Sequence, residues 1–267
     1  MNASTLERKS FHRIKGQEGF IFIDDGGDGE IPVIFSHSFG GDATHWKHQL
    51  EHLRPSRRAI AFDFRGHGRS DKSSNNRFSA EALAGDIAAV AESLDIAQFI
   101  LVGHSMGGSA AIAYANSHPT RVMGLVLVGT PGKTPTEISK PVASALESEN
   151  YQKVMDDYMK QLMEGARPVV SSLVTDGVSK LSRETSISII RALFEFDPID
   201  MLNRFTNPKL IISTTREAEQ PNALYHQVAV TPYKIIEGTS HWPQLDNPDK
   251  FNKIIDQFLT QVNFKNQ

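Results

Sequence analysis

Gly103-His104-Ser105-Met106-Gly107 follows the apolar run Phe99 to Val102 and precedes a small-residue run of helical character. Strand, tight turn and helix thus arrive in the order of a Gly-x-Ser-x-Gly elbow, which lifts the serine hydroxyl into the open on a strained bend. Both glycines are needed there, because neighbouring backbone comes too close for a Cβ. Ser105 is therefore a candidate nucleophile, and the N-terminus of the following helix would favour an oxyanion formed beside it. A serine needs a base to take its proton. Among ten histidines, His241 is the best candidate, since it follows the apolar run 234–236 and the turn residues Gly238, Thr239 and Ser240. That order leaves it on a loop at the carboxyl edge of a sheet, where Ser105 is also expected. A neutral imidazole with a pKa near 7 can take the serine proton and return it to a leaving group. His12, His45, His48, His52, His118 and His226 lack such a context and read as surface or packing residues.

Composition removes most other chemistries. The 267 residues hold no cysteine, which excludes disulfides, iron–sulfur clusters, Cys-based zinc sites and a thiol nucleophile. Lys plus Arg at 28 against Asp plus Glu at 31 gives a net charge of −3, with no basic field to hold nucleic acid. No His-Glu-x-x-His pair or calcium-type carboxylate loop occurs, and the elbow itself is the single glycine-rich strand-to-helix turn, so no metal and no cofactor are implied. Neither a leader-like apolar segment near the start nor a run long enough to span a bilayer is visible. The expectation is a cytoplasmic protein away from membranes, monomer or homodimer.

Short apolar runs beginning at 33, 59, 99, 125, 210 and 234 read as strands buried on both faces, as in a parallel sheet. Between them lie helical patterns. Ser79 suits an N-cap before Leu83, Ile87, Val90 and Leu94, and Asn247 with Pro248 starts a helix burying Phe251, Ile254, Ile255, Phe258 and Val262. Ahead of the sheet, 10–16 and 19–30 read as an antiparallel hairpin. The predicted fold is α/β: a mostly parallel central sheet with an N-terminal antiparallel hairpin, helices on both faces, and a helical lid inserted after the sixth strand. Core residues are 1–130 and 206–267. The stretch 131–205 is too long for one crossover and carries helical patterns at Tyr151 to Met163 and Glu184 to Phe196. An insertion there would cover the crevice at the strands' carboxyl ends, where such sheets bind ligands. Met155, Met159 and Met163 read as packing or pocket lining, and Asp156, Asp157 and Lys160 as a solvated face. Leu162, Val169, Leu173 and Phe194 suggest an uncharged or acyl-bearing substrate.

Taken together with the elbow, three further segments make the chain resemble the α/β-hydrolase fold superfamily: His37-Ser38-Phe39-Gly40-Gly41, Asp63 to Ser70, and Gly238 to Pro243. The resemblance implies an oxyanion hole built from the backbone N–H groups of Phe39 and Met106. Ser38 stands where glycine is common. It also implies structural roles for His37, His104, His67, Asp63 and Arg65. The triad acid of the family is usually an aspartate four residues before a proline, and the corresponding residue before Pro221 is Glu217, with Glu219 as competitor. Its work would be to accept the imidazole N–H and stabilise the imidazolium. Asp197 and Asp200 read as helix-start residues, Trp46 as core, and Trp242 as a residue at the pocket mouth. The implied activity is a carboxylesterase-like serine hydrolase cleaving an ester, thioester or lactone. Serine at the elbow disfavours haloalkane dehalogenase and epoxide hydrolase chemistry. A small-molecule receptor or degenerate hydrolase, and a carbon–carbon bond hydrolase or perhydrolase using the same serine and histidine, stay open.

Overall fold

The computed structural model describes residues 10–265. Residues 1–9, on which the leader reading partly rests, lie outside the described residues. Eight strands form one sheet: β1 (Ser10–Gly16), β2 (Gly19–Gly26), β3 (Glu30–Ser36), β4 (Arg57–Phe62), β5 (Phe99–His104), β6 (Val122–Val128), β7 (Lys209–Ser213) and β8 (Tyr233–Ile235), in the order β1-β2-β4-β3-β5-β6-β7-β8. The β1–β2 hairpin is antiparallel, as is β2 against β4, and β3 to β8 run parallel. Every apolar run read as a strand is one. Successive side chains alternate between faces, so Leu101, Leu125 and Leu127 join one core while Ile100, Val102, Val126 and Val128 join the other.

Helices cover both faces. They are α1 (Lys47–Leu53), α2 (Ala80–Ser93), α3 (Met106–Ser117), α4 (Thr136–Glu147), α5 (Tyr151–Leu162), α6 (Pro168–Ser179), α7 (Arg183–Glu195), α8 (Ile199–Arg204), α9 (Thr215–Ala218), α10 (Leu224–Gln227), α11 (Pro243–Asp246) and α12 (Pro248–Lys265). Ser79 caps α2 by accepting the Ala82 N–H, and the Asn247 amide oxygen accepts the Lys250 N–H in the first turn of α12. Trp46 is fully buried between Phe35 and Phe251. Five helices, α4 to α8, fill the stretch between β6 and β7, the position read for an insertion. Among the described residues no helix is long and apolar enough to cross a membrane.

The parallel register brings the strand ends level. Ser36 pairs with Gly103, His104 with Val128, and Val128 with Ile212. The loops that follow these strands, carrying His37 to Gly41, Ser105, Gly129 and Glu217, therefore gather at one edge, and the loop after β8 adds His241.

Candidate active site

Ser105 occupies the bend between β5 and α3 with φ 53° and ψ −114°, a left-handed conformation that costs a non-glycine residue on the order of 1 to 3 kcal/mol. The surroundings enforce it. The Ser105 N–H donates to the Val128 carbonyl at 2.8 Å, which anchors the bend to β6. A Cβ at Gly103 would stand 2.6 Å from the Gly107 carbonyl oxygen, and one at Gly107 would stand 2.5 Å from that of His37. Met106 opens α3, so its amide is one of the N–H groups a helix leaves without an intrahelical acceptor.

One residue beyond Val128, Gly129 has φ 50°, and a Cβ there would meet Glu217 Oε1 at 2.9 Å and the His241 ring at 2.9 Å. Glu217 and His241 thus lie directly over the strand end that holds Ser105. His241 Nδ1 pairs with Glu217 Oε1. Glu217 Oε2 meanwhile accepts the Thr214 N–H at 2.9 Å, and the Thr214 hydroxyl accepts the Glu217 N–H, a capping box that fixes the carboxylate at the start of α9. Glu219 caps the other end of α9 and is exposed. Of the two candidate acids, only Glu217 reaches the imidazole. The sequence carried the signal in Thr214-x-x-Glu217, since a capping box turns its glutamate back toward the preceding strand.

A second histidine orients the first. His104 Nε2–H donates to the His241 carbonyl at 2.8 Å, while its Nδ1 accepts the Gln244 amide at 3.0 Å. Burial holds His104 well below the usual imidazole range, with the nearby His241 acting the same way, so it stays neutral beside the site. His37 is likewise buried and depressed, chiefly by desolvation and then by His67. Its Nε2 accepts the Phe64 N–H at 2.9 Å, which leaves the proton on Nδ1 to be donated to the Ser38 carbonyl at 2.8 Å. Asp63 is buried and accepts the N–H groups of Ala43 and Arg69, and Arg65 is buried against Asp86. Burial pushes both carboxylates, Asp63 and Asp86, up.

Two expectations fail. Trp242 does not line a pocket mouth: it is 1% exposed, its ring meets His241 edge-on, and its indole N–H donates to Ser38 Oγ at 3.1 Å. A tryptophan that can satisfy its N–H indoors is more stable buried. Val169 is 66% exposed in the first turn of α6, where the next residue, Val170, takes the buried side. Leu162, Leu173 and Phe194 are partly buried against the core, as Met155 and Met159 are fully.

The inserted helices touch the site at its edges. The His241 N–H donates to the Leu162 carbonyl at 3.0 Å at the end of α5, and Arg216 binds Gln161 and Glu164. Desolvation pushes the Tyr158 phenol up to about 12, with the Glu217 charge adding to it. Val178 of α6 packs against Gly40. Between α5 and α6 lies a cleft of about 1200 Å³, with Met155, Met159, Met163 and Val178 among its walls.

Residues 31–175 match the family model of the alpha/beta hydrolase fold. Across 84% of its length the chain is 27% identical to the Karrikin insensitive 2 receptor IA of Petunia hybrida, covering 88% of that protein. It is 26% identical over 266 residues, 91% of each chain, to a 2-hydroxy-6-oxononadienedioate/2-hydroxy-6-oxononatrienedioate hydrolase of Klebsiella pneumoniae. Among solved structures, the enol-lactonase from Burkholderia xenovorans LB400 superposes with a TM-score of 0.80 at 26% identity, over 93% of this chain and all of that one.

Proposed function

The chain belongs to the α/β-hydrolase fold family, and on that premise we propose that it is a serine hydrolase cleaving a carboxylic ester, thioester or lactone through an acyl-enzyme on Ser105. The observation that carries this reading is the Glu217–His241 pair packed over Gly129, next to the Val128 carbonyl that anchors Ser105. In the proposed reaction Ser105 Oγ attacks the carbonyl carbon while His241 Nε2 takes its proton. Glu217 holds Nδ1–H and offsets the imidazolium charge. Phe39 and Met106 amides receive the oxyanion, each such donor being worth about 2.7 to 4 kcal/mol in the transition state. Collapse expels the alkoxide or thiolate, which takes the proton from His241. Water, activated by the same imidazole, then releases the acid and restores Ser105.

The test is turnover of p-nitrophenyl acetate and butyrate by wild type and Ser105→Ala. Loss of a triad serine lowers kcat by on the order of a millionfold, and equal rates in both proteins end the enzyme reading. A receptor reading draws on the likeness to the karrikin receptor and on a site whose Ser105 and His241 are 7% and 8% exposed. It predicts ligand-dependent thermal stabilisation with no turnover above the Ser105→Ala background.

A further inference from the structure

The oxyanion donor assigned to Phe39 belongs to the same peptide group as the Ser38 carbonyl. That peptide is trans, so its N–H points opposite to its C=O. Whatever holds the carbonyl therefore aims the amide. Two donors hold it, the Gly41 N–H at 3.0 Å and the His37 Nδ1–H at 2.8 Å. Both belong to the same loop, and His37 Nε2, which accepts the Phe64 N–H at 2.9 Å, ties that loop to the one after β4 but not to the wall that carries His241. The Ser38 side chain supplies the one bond from this residue to the opposite wall: its Oγ accepts the Trp242 indole N–H at 3.1 Å. Trp242 is the residue after His241, and its ring stands edge-on to the His241 ring with centroids 5.1 Å apart. Ser38 and Trp242 are each 1% exposed, so no water competes for the bond. A glycine at 38 could not make it.

We propose that Ser38 and Trp242 are positioning residues, which lock the Phe39 amide in register with the His241 imidazole. The assignment rests on the serine hydrolase reading. Attack and oxyanion capture happen within one step, so the base and the donor must be right at the same moment. A misplacement of about 1 Å is enough to cost a large factor in rate. Because the oxyanion exists only after the ground state, loosening the bond should lower kcat and leave KM nearly unchanged.

The experiment compares wild type, Ser105→Ala, Ser38→Ala, Trp242→Phe and the double variant on p-nitrophenyl butyrate. Active sites of every protein that keeps Ser105 are titrated with a fluorophosphonate, so that unfolded protein does not count, and Ser105→Ala is compared at equal protein concentration. A boronic acid serves as a mimic of the tetrahedral intermediate. Each single variant is expected to lose about tenfold in kcat, less than the hundredfold or more of a deleted donor. KM should stay within twofold, and boronate affinity should fall by the same factor as kcat. The double variant should be no slower than the worse single, since both remove one bond. A packing role alone would lower the thermal midpoint while leaving kcat per titrated site and boronate affinity unchanged, and that result overturns the assignment. Additive losses in the double variant overturn it too. Equal turnover by wild type and Ser105→Ala is a different failure: it removes the hydrolase reading, and this assignment falls with it.

Discussion

The carboxyl edge of the sheet and the helices inserted after β6 are built to different tolerances. At the edge, α3 buries ten consecutive residues, Met106 to Ala115, and one methyl group added at Gly107 or Gly129 would collide with backbone or with the Glu217–His241 pair. In the insertion, α4 buries Leu146 alone, α5 buries Met155 and Met159, and α6 buries Val170 and Val174. The edge can hold reacting atoms to fractions of an ångström because close-packed backbone leaves no alternative position. The insertion rests on a shallow apolar strip with a few polar fastenings, among them Arg216 to Gln161 and Arg167 to Leu245. Chemistry should therefore fail when the edge is altered, and substrate range should shift when the insertion is.

The sharpest break is the acid. Glu217→Gln leaves the shape and removes the charge that orients His241, and kcat should fall by about ten-thousandfold, as expected when an imidazole is left in the wrong tautomer. Glu219→Gln, 2 residues along and exposed, should stay within about twofold. Steady-state kinetics on one chromogenic ester decides it. A large fall confined to Glu219→Gln would mean that the Glu217–His241 bond does not carry the chemistry.

This same contrast explains what could be read from the sequence. Strand positions were legible because a parallel sheet buried on both faces leaves uninterrupted apolar runs: β3 to β7 each contain the run read for them, and β8 overlaps the run 234–236 at its first two residues. The placement of Ser105 and His241 on loops after strands was legible because glycine and turn residues punctuate the strand ends that carry them. Spacing to Pro221 pointed to Glu217 with Glu219 as competitor, and the residue that turns the Glu217 carboxylate inward is Thr214, by capping α9. Trp242 was misplaced because the direction of a loop indole depends on a partner 204 positions away, Ser38 Oγ. In the insertion, α5 and α7 announced themselves by apolar spacing. Helix α4 contains Pro141 and α6 contains Gly177, residues that read as breaks. Gly129 was passed over, although a glycine straight after a strand is itself a sign of close approach.

Acid should divide the two regions next. Residues 131–205 contain no histidine, whereas His37, His45, His67 and His104 are buried around the edge. Desolvation brings His45 and His67 down to about 4 from 6.5. Between those values the unfolded chain binds more protons than the folded one, so stability is full above about pH 6.5 and is lost as pH falls toward 4. Each histidine contributes about 3 kcal/mol to that loss, at 1.36 kcal/mol per pKa unit. Urea unfolding at pH 7, 5.5 and 4.5 should show the free energy falling with a slope of two protons or more, since His37 and His104 are depressed alongside His45 and His67. A flat profile would mean that these imidazoles are solvated, and the edge would not be the close-packed region described.

The smallest effect tests the other half of the comparison. Arg167 precedes α6, and its guanidinium reaches the Leu245 carbonyl while its own N–H donates to Asp246 Oδ1 at 2.9 Å. Asp246 also receives the Ser240 N–H and hydroxyl, so this fastening lies one residue from His241. Arg167→Ala cuts the guanidinium bond and leaves the backbone one. The side chain is exposed, which limits the cost to about 1 kcal/mol or less. If α6 is held to the edge chiefly by such contacts, the variant should show KM raised about two- to fivefold, most for long acyl esters, with kcat within twofold. An acyl-chain series from acetate to octanoate reads this directly. A fall in kcat at every chain length, with KM unchanged, would place Arg167 with the reacting atoms and erase the division of labour between the two regions.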